Sequence, residues 1–202
     1  MIVIIDYGVG NVRSLANMLK KLGASCTITN EISTIEKATK VILPGVGAFD
    51  TAMQDLTKTG IKQVLEQKAL DEKIPVLGIC LGMQLLTNGS EEGKEQGLGW
   101  IPGYVHRFPK DASLKVPHMR WNAVSVCQEK ALVNDLAHDS RFYFVHSYYV
   151  KAAQPQHVLL QATHGICFDA AIQKENISGV QFHPERSHKY GMKLLSNFIQ
   201  LQ

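Results

Sequence analysis

Apolar positions in the first eighty residues alternate between two rhythms. Residues 2–6 form a short run that is apolar on both faces, and Gly8 and Gly10 break it. Val12, Leu15, Ala16, Leu19 and Leu22 then recur at helical spacing until Gly23 ends the run. Residues 25–29 and 40–43 read as further strands, the second stopped by Pro44-Gly45. Residues 49–71 read as helical, and residues 75–79 as a fourth strand, again apolar on both faces. Such strands separated by helices predict a parallel sheet covered on both sides, with right-handed crossovers.

The second half changes character. Residues 97–127 are rich in Gly and Pro, with short aromatic or β-branched runs. Residues 141–151, 157–163, 167–173 and 177–182 read as successive strands, which predicts an antiparallel portion. Leu194, Leu195, Phe198, Ile199 and Leu201 make the apolar stripe of a final helix. The pattern gives one flavodoxin-like, doubly wound α/β domain over residues 1–202. Its central sheet is mostly parallel, with an antiparallel extension.

Composition narrows the class. A chain of 202 residues buries about 70% of its unfolded surface, so it needs no disulfide staples. It is 45% apolar and 19% charged, too apolar for a disordered chain. Its 21 basic residues are offset by 18 acidic ones, and no basic block marks a nucleic-acid footprint. The opening apolar run is too short for a signal peptide, and no stretch approaches a membrane span, so a cytosolic protein is expected. Cys26, Cys80, Cys127 and Cys167 are far apart and fit no CxxC spacing, which argues against a zinc site. No cofactor is expected. Cys26, Cys127 and Cys167 sit in strand-like runs and read as packing.

Cys80 is different. Gly78-x-Cys80-x-Gly82 has the spacing of a nucleophile elbow with sulfur in place of oxygen. A strand there turns sharply into a helix, and glycines two residues either side allow close approach. The helix start favours thiolate over thiol and leaves the Leu81 amide free to donate to an oxyanion. A buried structural cysteine is the competing reading of this motif alone. A thiolate needs a base, and the base an orienting group. His183 ends an apolar strand, at the sheet edge where open α/β sheets place their sites. Glu185, across Pro184, is placed to hold the imidazole as the acid of a triad does.

Gly78 to Gln84 together with Gln181 to Glu185 resembles the class I, triad-type glutamine amidotransferase family. The resemblance extends over essentially the whole chain to one branch, the glutaminase subunits of imidazole glycerol phosphate synthase. It rests on Asp6-Tyr7-Gly8-Val9-Gly10-Asn11, Leu43-Pro44-Gly45-Val46-Gly47, Lys115 to Asn122, Phe144 to Tyr148 and Gly191 to Phe198. The resemblance implies that Cys80 attacks the side-chain amide of L-glutamine, with His183 and Glu185 completing the triad. The Val46/Gly47 peptide and the Leu81 amide would form the oxyanion hole. Gly45, Gln84, Glu92 and the His146-Ser147-Tyr148 segment would bind substrate. Glu92 would meet the α-ammonium, although Glu91 beside it leaves that choice open.

The resemblance also implies a partner, a (βα)₈-barrel cyclase subunit that takes the ammonia in histidine biosynthesis. Asn11, His118, Met119, Trp121 and Asn122 would face it, with a satellite core around Trp121 as the competing reading. Arg120 departs from the family pattern, which has glycine before the tryptophan. That difference keeps open a paralogous role supplying ammonia for amidination of a surface sugar. A non-catalytic flavodoxin-like binding module and a cysteine peptidase or amidase are rivals of other classes.

Overall fold

The computed structural model describes residues 1–8, 11–110 and 114–202. Val9 and Gly10 of the glycine-rich turn lie outside the described residues. In chain order the elements begin with β1 (Ile2–Ile5), α1 (Val12–Lys21), β2 (Cys26–Thr29), α2 (Ile32–Ile35) and β3 (Lys40–Gly45). There follow α3 (Phe49–Lys58), α4 (Ile61–Glu66), β4 (Val76–Cys80) and α5 (Leu81–Leu85). The second half holds β5 (Gly103–Arg107), β6 (His118–Ala123), β7 (Ser125–Val126), β8 (Arg141–His146), β9 (Tyr148–Ala152), β10 (Val158–His164), β11 (Ile166–Lys174), β12 (Ile177–Val180) and α6 (His188–Gln200).

The main sheet runs β2-β1-β3-β4-β12-β11-β10-β7. β1 to β4 and β12 pair in parallel, whereas β12, β11, β10 and β7 pair antiparallel. β9 joins β11, and β5 joins β9. The parallel sheet with an antiparallel extension is therefore present. β1, β3, β4 and β12 are buried on both faces because each face has its own cover, while the edge strand β2 is half-buried. Val3 and Ile5 pack in one core with Met53, Leu56, Ile61 and Leu65, while Ile2 and Ile4 pack in the other with Leu15, Leu19, Leu194 and Phe198. Alternate residues of one strand feed opposite cores, as the period of two requires.

Two expected elements divide. The helical region after Phe49 breaks at Gly60, whose φ of +75° ends one helix and starts the next, and α4 runs on into a π turn, Gln67–Asp71. The long strand expected over 141–151 splits at Ser147. β8 pairs with β6 in a separate two-stranded sheet, while β9 stays in the main sheet. The segment His146-Ser147-Tyr148 is thus the joint between two sheets.

Candidate active site

β4 delivers Cys80 to the carboxyl edge of the sheet, and α5 begins at the next residue. Cys80 has φ +54° and ψ −110°, a conformation that non-glycine residues avoid, so the elbow is strained. The glycines explain how the turn closes. A Cβ on Gly78 would lie 2.6 Å from the Gly82 carbonyl oxygen, and one on Gly82 only 1.8 Å from that of Leu43. With α5 wedged this closely against β3, larger residues at 78 or 82 would force the elbow open.

The expected triad assembles. His183 follows β12, the neighbour of β4, and its backbone N–H donates to Tyr143 O at 2.9 Å. His183 Nδ1 and Glu185 Oε1 are 2.8 Å apart, across the short 3₁₀ turn Pro184–Arg186. The Ser187 hydroxyl pins the turn by donating to His183 O at 2.7 Å. Burial alone would push the His183 imidazole towards its neutral form, but Cys80 and Glu185 outweigh it and hold the imidazolium well above its ordinary range. Both side chains are nearly inaccessible. His183 Nε2 and Glu185 Oε2 are buried without a protein partner in hydrogen-bonding geometry. For Nε2, close to Cys80, this is the expected resting state, since catalytic hydrogen bonds often tighten only on substrate binding.

Beside Cys80 opens a cavity of about 350 Å³, lined by Val46, Gly47, Leu81, Gln84, Glu92, Pro117, Val145, His146, Ser147 and Tyr148. The oxyanion and substrate residues expected from the sequence converge here, with one exception. Gly45 does not line it. Gly45 sits opposite Cys80 in the β3–β4 register, where a Cβ would meet Tyr7 Oη at 2.7 Å and Leu81 Cβ at 2.9 Å. Its contribution is to let the Pro44 to Gly47 segment lie against the elbow. Tyr7 holds that segment by donating to Pro44 O at 2.5 Å. Gly47, at φ +102°, gives the loop its turn, and Val46 is 43% exposed at the cavity mouth. A larger hollow of about 680 Å³ lies along residues 124–140 and includes none of the triad.

The two glutamates separate. The Glu91 carboxylate accepts from Arg107 N at 2.7 Å and lies 2.9 Å from His106 Nδ1, and these bonds to β5 hold it below the usual carboxylate range. Glu92 faces the cavity, and its carboxylate accepts from Phe49 N at 2.9 Å, capping α3. Gln84 is buried, not on a helix surface. Its Nε2 donates to Tyr148 O at 3.1 Å and to Gln181 Oε1 at 3.0 Å. Gln181, overlooked in the sequence, is fully buried, with Nε2 3.7 Å from Cys80 Sγ. Its signal was available, because Gln181 and His183 are two apart on extended chain and face one way.

The expected partner surface needs one correction. Met119 and Trp121 are exposed at 58% and 36%, but His118 is fully buried and cannot itself touch a partner. Strand alternation turns it inward, where its ring stacks on His164 and Phe144. His118 Nδ1 is 3.0 Å from His146 Nε2, and Asn122 Nδ2 is 3.2 Å from His118 Nε2. Asn122 also donates to Thr163 O at 2.8 Å. Burial drives His118 down to about 4 and His146 down to about 3, so both rings are neutral. Trp121 stacks on His188 at 5.5 Å with planes 1° apart, at the surface and not in a satellite core. Asn11 and Arg120 are exposed. The cysteines need a second correction: all four are free, but Cys127 and Cys167 are exposed and Cys26 is half-buried, so packing does not account for all three.

A family model described as "Glutamine amidotransferase class-I" matches residues 3–201. A relative in Methanococcus maripaludis, "Imidazole glycerol phosphate synthase subunit HisH 2", is 51% identical over 200 residues, covering 99% of each chain. One of the same name in Pseudomonas aeruginosa is 50% identical over the full length of both, and the HisH subunit of Bdellovibrio bacteriovorus is 45% identical over both full lengths. Among solved structures, PurLQS from Thermotoga maritima aligns at TM-score 0.73 and 18% identity, covering 98% of this chain and 96% of that one. A glutamine amidotransferase from the same organism aligns at TM-score 0.70 and 15% identity, again with 98% and 96% covered. At these identities the structures support the fold alone. The chain belongs to the class I glutamine amidotransferase family and, within it, to the HisH subunits of imidazole glycerol phosphate synthase.

Proposed function

We propose that this chain is the glutaminase subunit of an imidazole glycerol phosphate synthase. It hydrolyses L-glutamine to glutamate and ammonia and passes the ammonia to a (βα)₈-barrel cyclase subunit. There the ammonia is built into the ring of imidazole glycerol phosphate, and the aminoimidazole carboxamide ribotide is released as the second product, in histidine biosynthesis. The observation that carries the reading is Cys80 on a strained elbow, close to the buried His183–Glu185 pair and open to a cavity of about 350 Å³, roomy enough for glutamine. The identity of the HisH relatives along the full chain supports the pathway.

The chemistry follows from these positions. The Cys80 thiolate attacks the side-chain amide carbon of glutamine, and the carbonyl π electrons move onto oxygen. The Leu81 amide and the Val46/Gly47 peptide donate to that oxyanion. His183, charged and oriented by Glu185, protonates the departing nitrogen as the C–N bond breaks, releasing ammonia and leaving a glutamyl thioester. The now neutral His183 takes a proton from water, hydroxide adds to the thioester, and glutamate leaves as the thiolate is restored. Glu92 meets the α-ammonium of the substrate, and the Ser147–Tyr148 backbone its α-carboxylate. Asn11, Met119, Trp121 and Asn122 lie towards the cyclase.

The competing readings lack support. A binding module has no use for an intact triad in a strained elbow, and the relatives named above give none to a surface-sugar pathway. The test is ammonia release from glutamine by the purified chain, alone and with its cognate cyclase subunit. Little turnover alone and strong stimulation by the cyclase is expected. Activity that survives Cys80→Ala overturns the reading.

A further inference from the structure

Beyond the triad, one buried polar group faces the sulfur, and the chemistry above makes no use of it. Gln181 follows β12 directly, two residues before His183, so the two side chains approach Cys80 from the same strand. Its backbone N–H is already occupied, donating to Ala170 O at 2.9 Å. Its side chain is fully buried, with one end of the amide against Gln84 and the other 3.7 Å from Cys80 Sγ, a hydrogen-bonding distance for an atom as large as sulfur.

Which end is which follows from an acceptor that cannot change. The Tyr148 carbonyl can only accept, so the Gln84 amide must turn its NH₂ towards it. The second proton of that NH₂ points at Gln181, which must therefore present its oxygen to Gln84. Gln181 is left with its NH₂ facing the sulfur. Reversing Gln84 would set its oxygen against the Tyr148 carbonyl oxygen at 3.1 Å, and reversing Gln181 would set two NH₂ groups against one another at 3.0 Å, inside the protein, where an unmade hydrogen bond is costly.

We propose that Gln181 is a permanent hydrogen-bond donor to the Cys80 thiolate, held in the donating orientation by Gln84 and the Tyr148 carbonyl. This rests on Cys80 being the nucleophile. A neutral amide cannot give its proton away, so it stabilises the thiolate before attack and again when hydrolysis of the thioester restores it. Gln84 is then a positioning residue. Its NH₂ is committed to the protein, and only its Oε1 remains for a ligand.

The test measures alkylation of Cys80 by iodoacetamide across about pH 5 to 9, read on the Cys80 peptide by mass spectrometry, because only the thiolate reacts. Gln181→Met removes the donor at similar volume, and the nearly isosteric Gln181→Glu replaces it with a negative charge. Gln84→Met frees the amide to rotate. At the acidic end Gln181→Met is expected to react about tenfold more slowly, as loss of a hydrogen bond to a charged group implies. Its rate should converge with wild type at the alkaline end. Gln181→Glu should be displaced further in the same direction, and Gln84→Met less. With the cyclase subunit present, glutaminase kcat should fall with little change in KM. Should Gln181→Met fail to fold, the other two variants decide. Alkylation profiles that coincide with wild type in the folded variants overturn the proposal. Cys80→Ala separates the two readings. If it is inactive while the profiles do not move, only the role of Gln181 fails, and if it is active the glutaminase assignment fails as well.

Discussion

His183 and the His118–His146 pair are all buried, yet they hold opposite charge states. His183 sits between a carboxylate and a sulfur, and these hold its imidazolium. His118 and His146 meet one another, an amide and a carbonyl, and burial keeps them neutral. Depth alone does not decide what a histidine does here. The partner decides it, because desolvation opposes the charged form at all three sites and only His183 has anionic neighbours to offset it. One site can deliver a proton. The other is a wall made of histidine.

The sharpest way to break this contrast is to remove each ring. His183→Ala should lower cyclase-stimulated glutamine turnover by about 10²–10⁴-fold, the usual worth of a proton-transferring group. His118→Phe should lower it less than tenfold, and equal losses would end the distinction. Next in size is Glu185→Gln, expected to cost about 10²-fold or more in kcat, since an amide cannot support the charged ring. Proton NMR of the imidazole rings would read the charge states directly. At pH 7 His183 should resonate as imidazolium, and His118 and His146 as neutral rings.

Stability should carry the same signature. In the unfolded chain His118 and His146 take up protons near the ordinary value of about 6.5. Folded, they resist until pH approaches about 4 and about 3. Their contribution is therefore complete above about pH 6.5 and is lost as pH falls, by at most ~1.4 kcal/mol per pH unit for each ring. His183 adds nothing to this acid limb, because it is charged in both states there. Denaturant midpoints at about pH 7 and pH 5 should differ accordingly, and His118→Phe should flatten the slope by one proton. The smallest effect expected is that of Asn122→Ala, about 1 kcal/mol of stability, from its bonds to His118 and Thr163.

Much of this was readable in the chain. The elbow was legible because a nucleophile on a sharp turn needs small residues at fixed offsets, and Gly78 and Gly82 supply them. His183 and Glu185 were legible from strand position and spacing. His118 was not, since β6 alternates polar His118, Arg120 and Asn122 with apolar Met119, Trp121 and Ala123, so its pattern points to the apolar face as the buried one, whereas the structure buries His118 and exposes Met119 and Trp121. The split at Ser147 left no mark either, because residues 141–151 read as one continuous β-favouring run and sheet membership is a long-range property. Glu91 and Glu92 could be told apart only once β5 and α3 had supplied their partners.

Ser147 has a mechanical consequence. His146 ends a strand of the small sheet and Tyr148 begins a strand of the large one, so a single residue splices two separate strand ladders. A splice that short has no slack. Met119 and Trp121, displayed on the outer strand of the small sheet, are thereby tied through that one residue to the Tyr148 carbonyl and the Gln84 amide bound to it. The cavity wall thus crosses a seam between two sheets, with one side of the seam reaching the surface and the other lying beside Cys80.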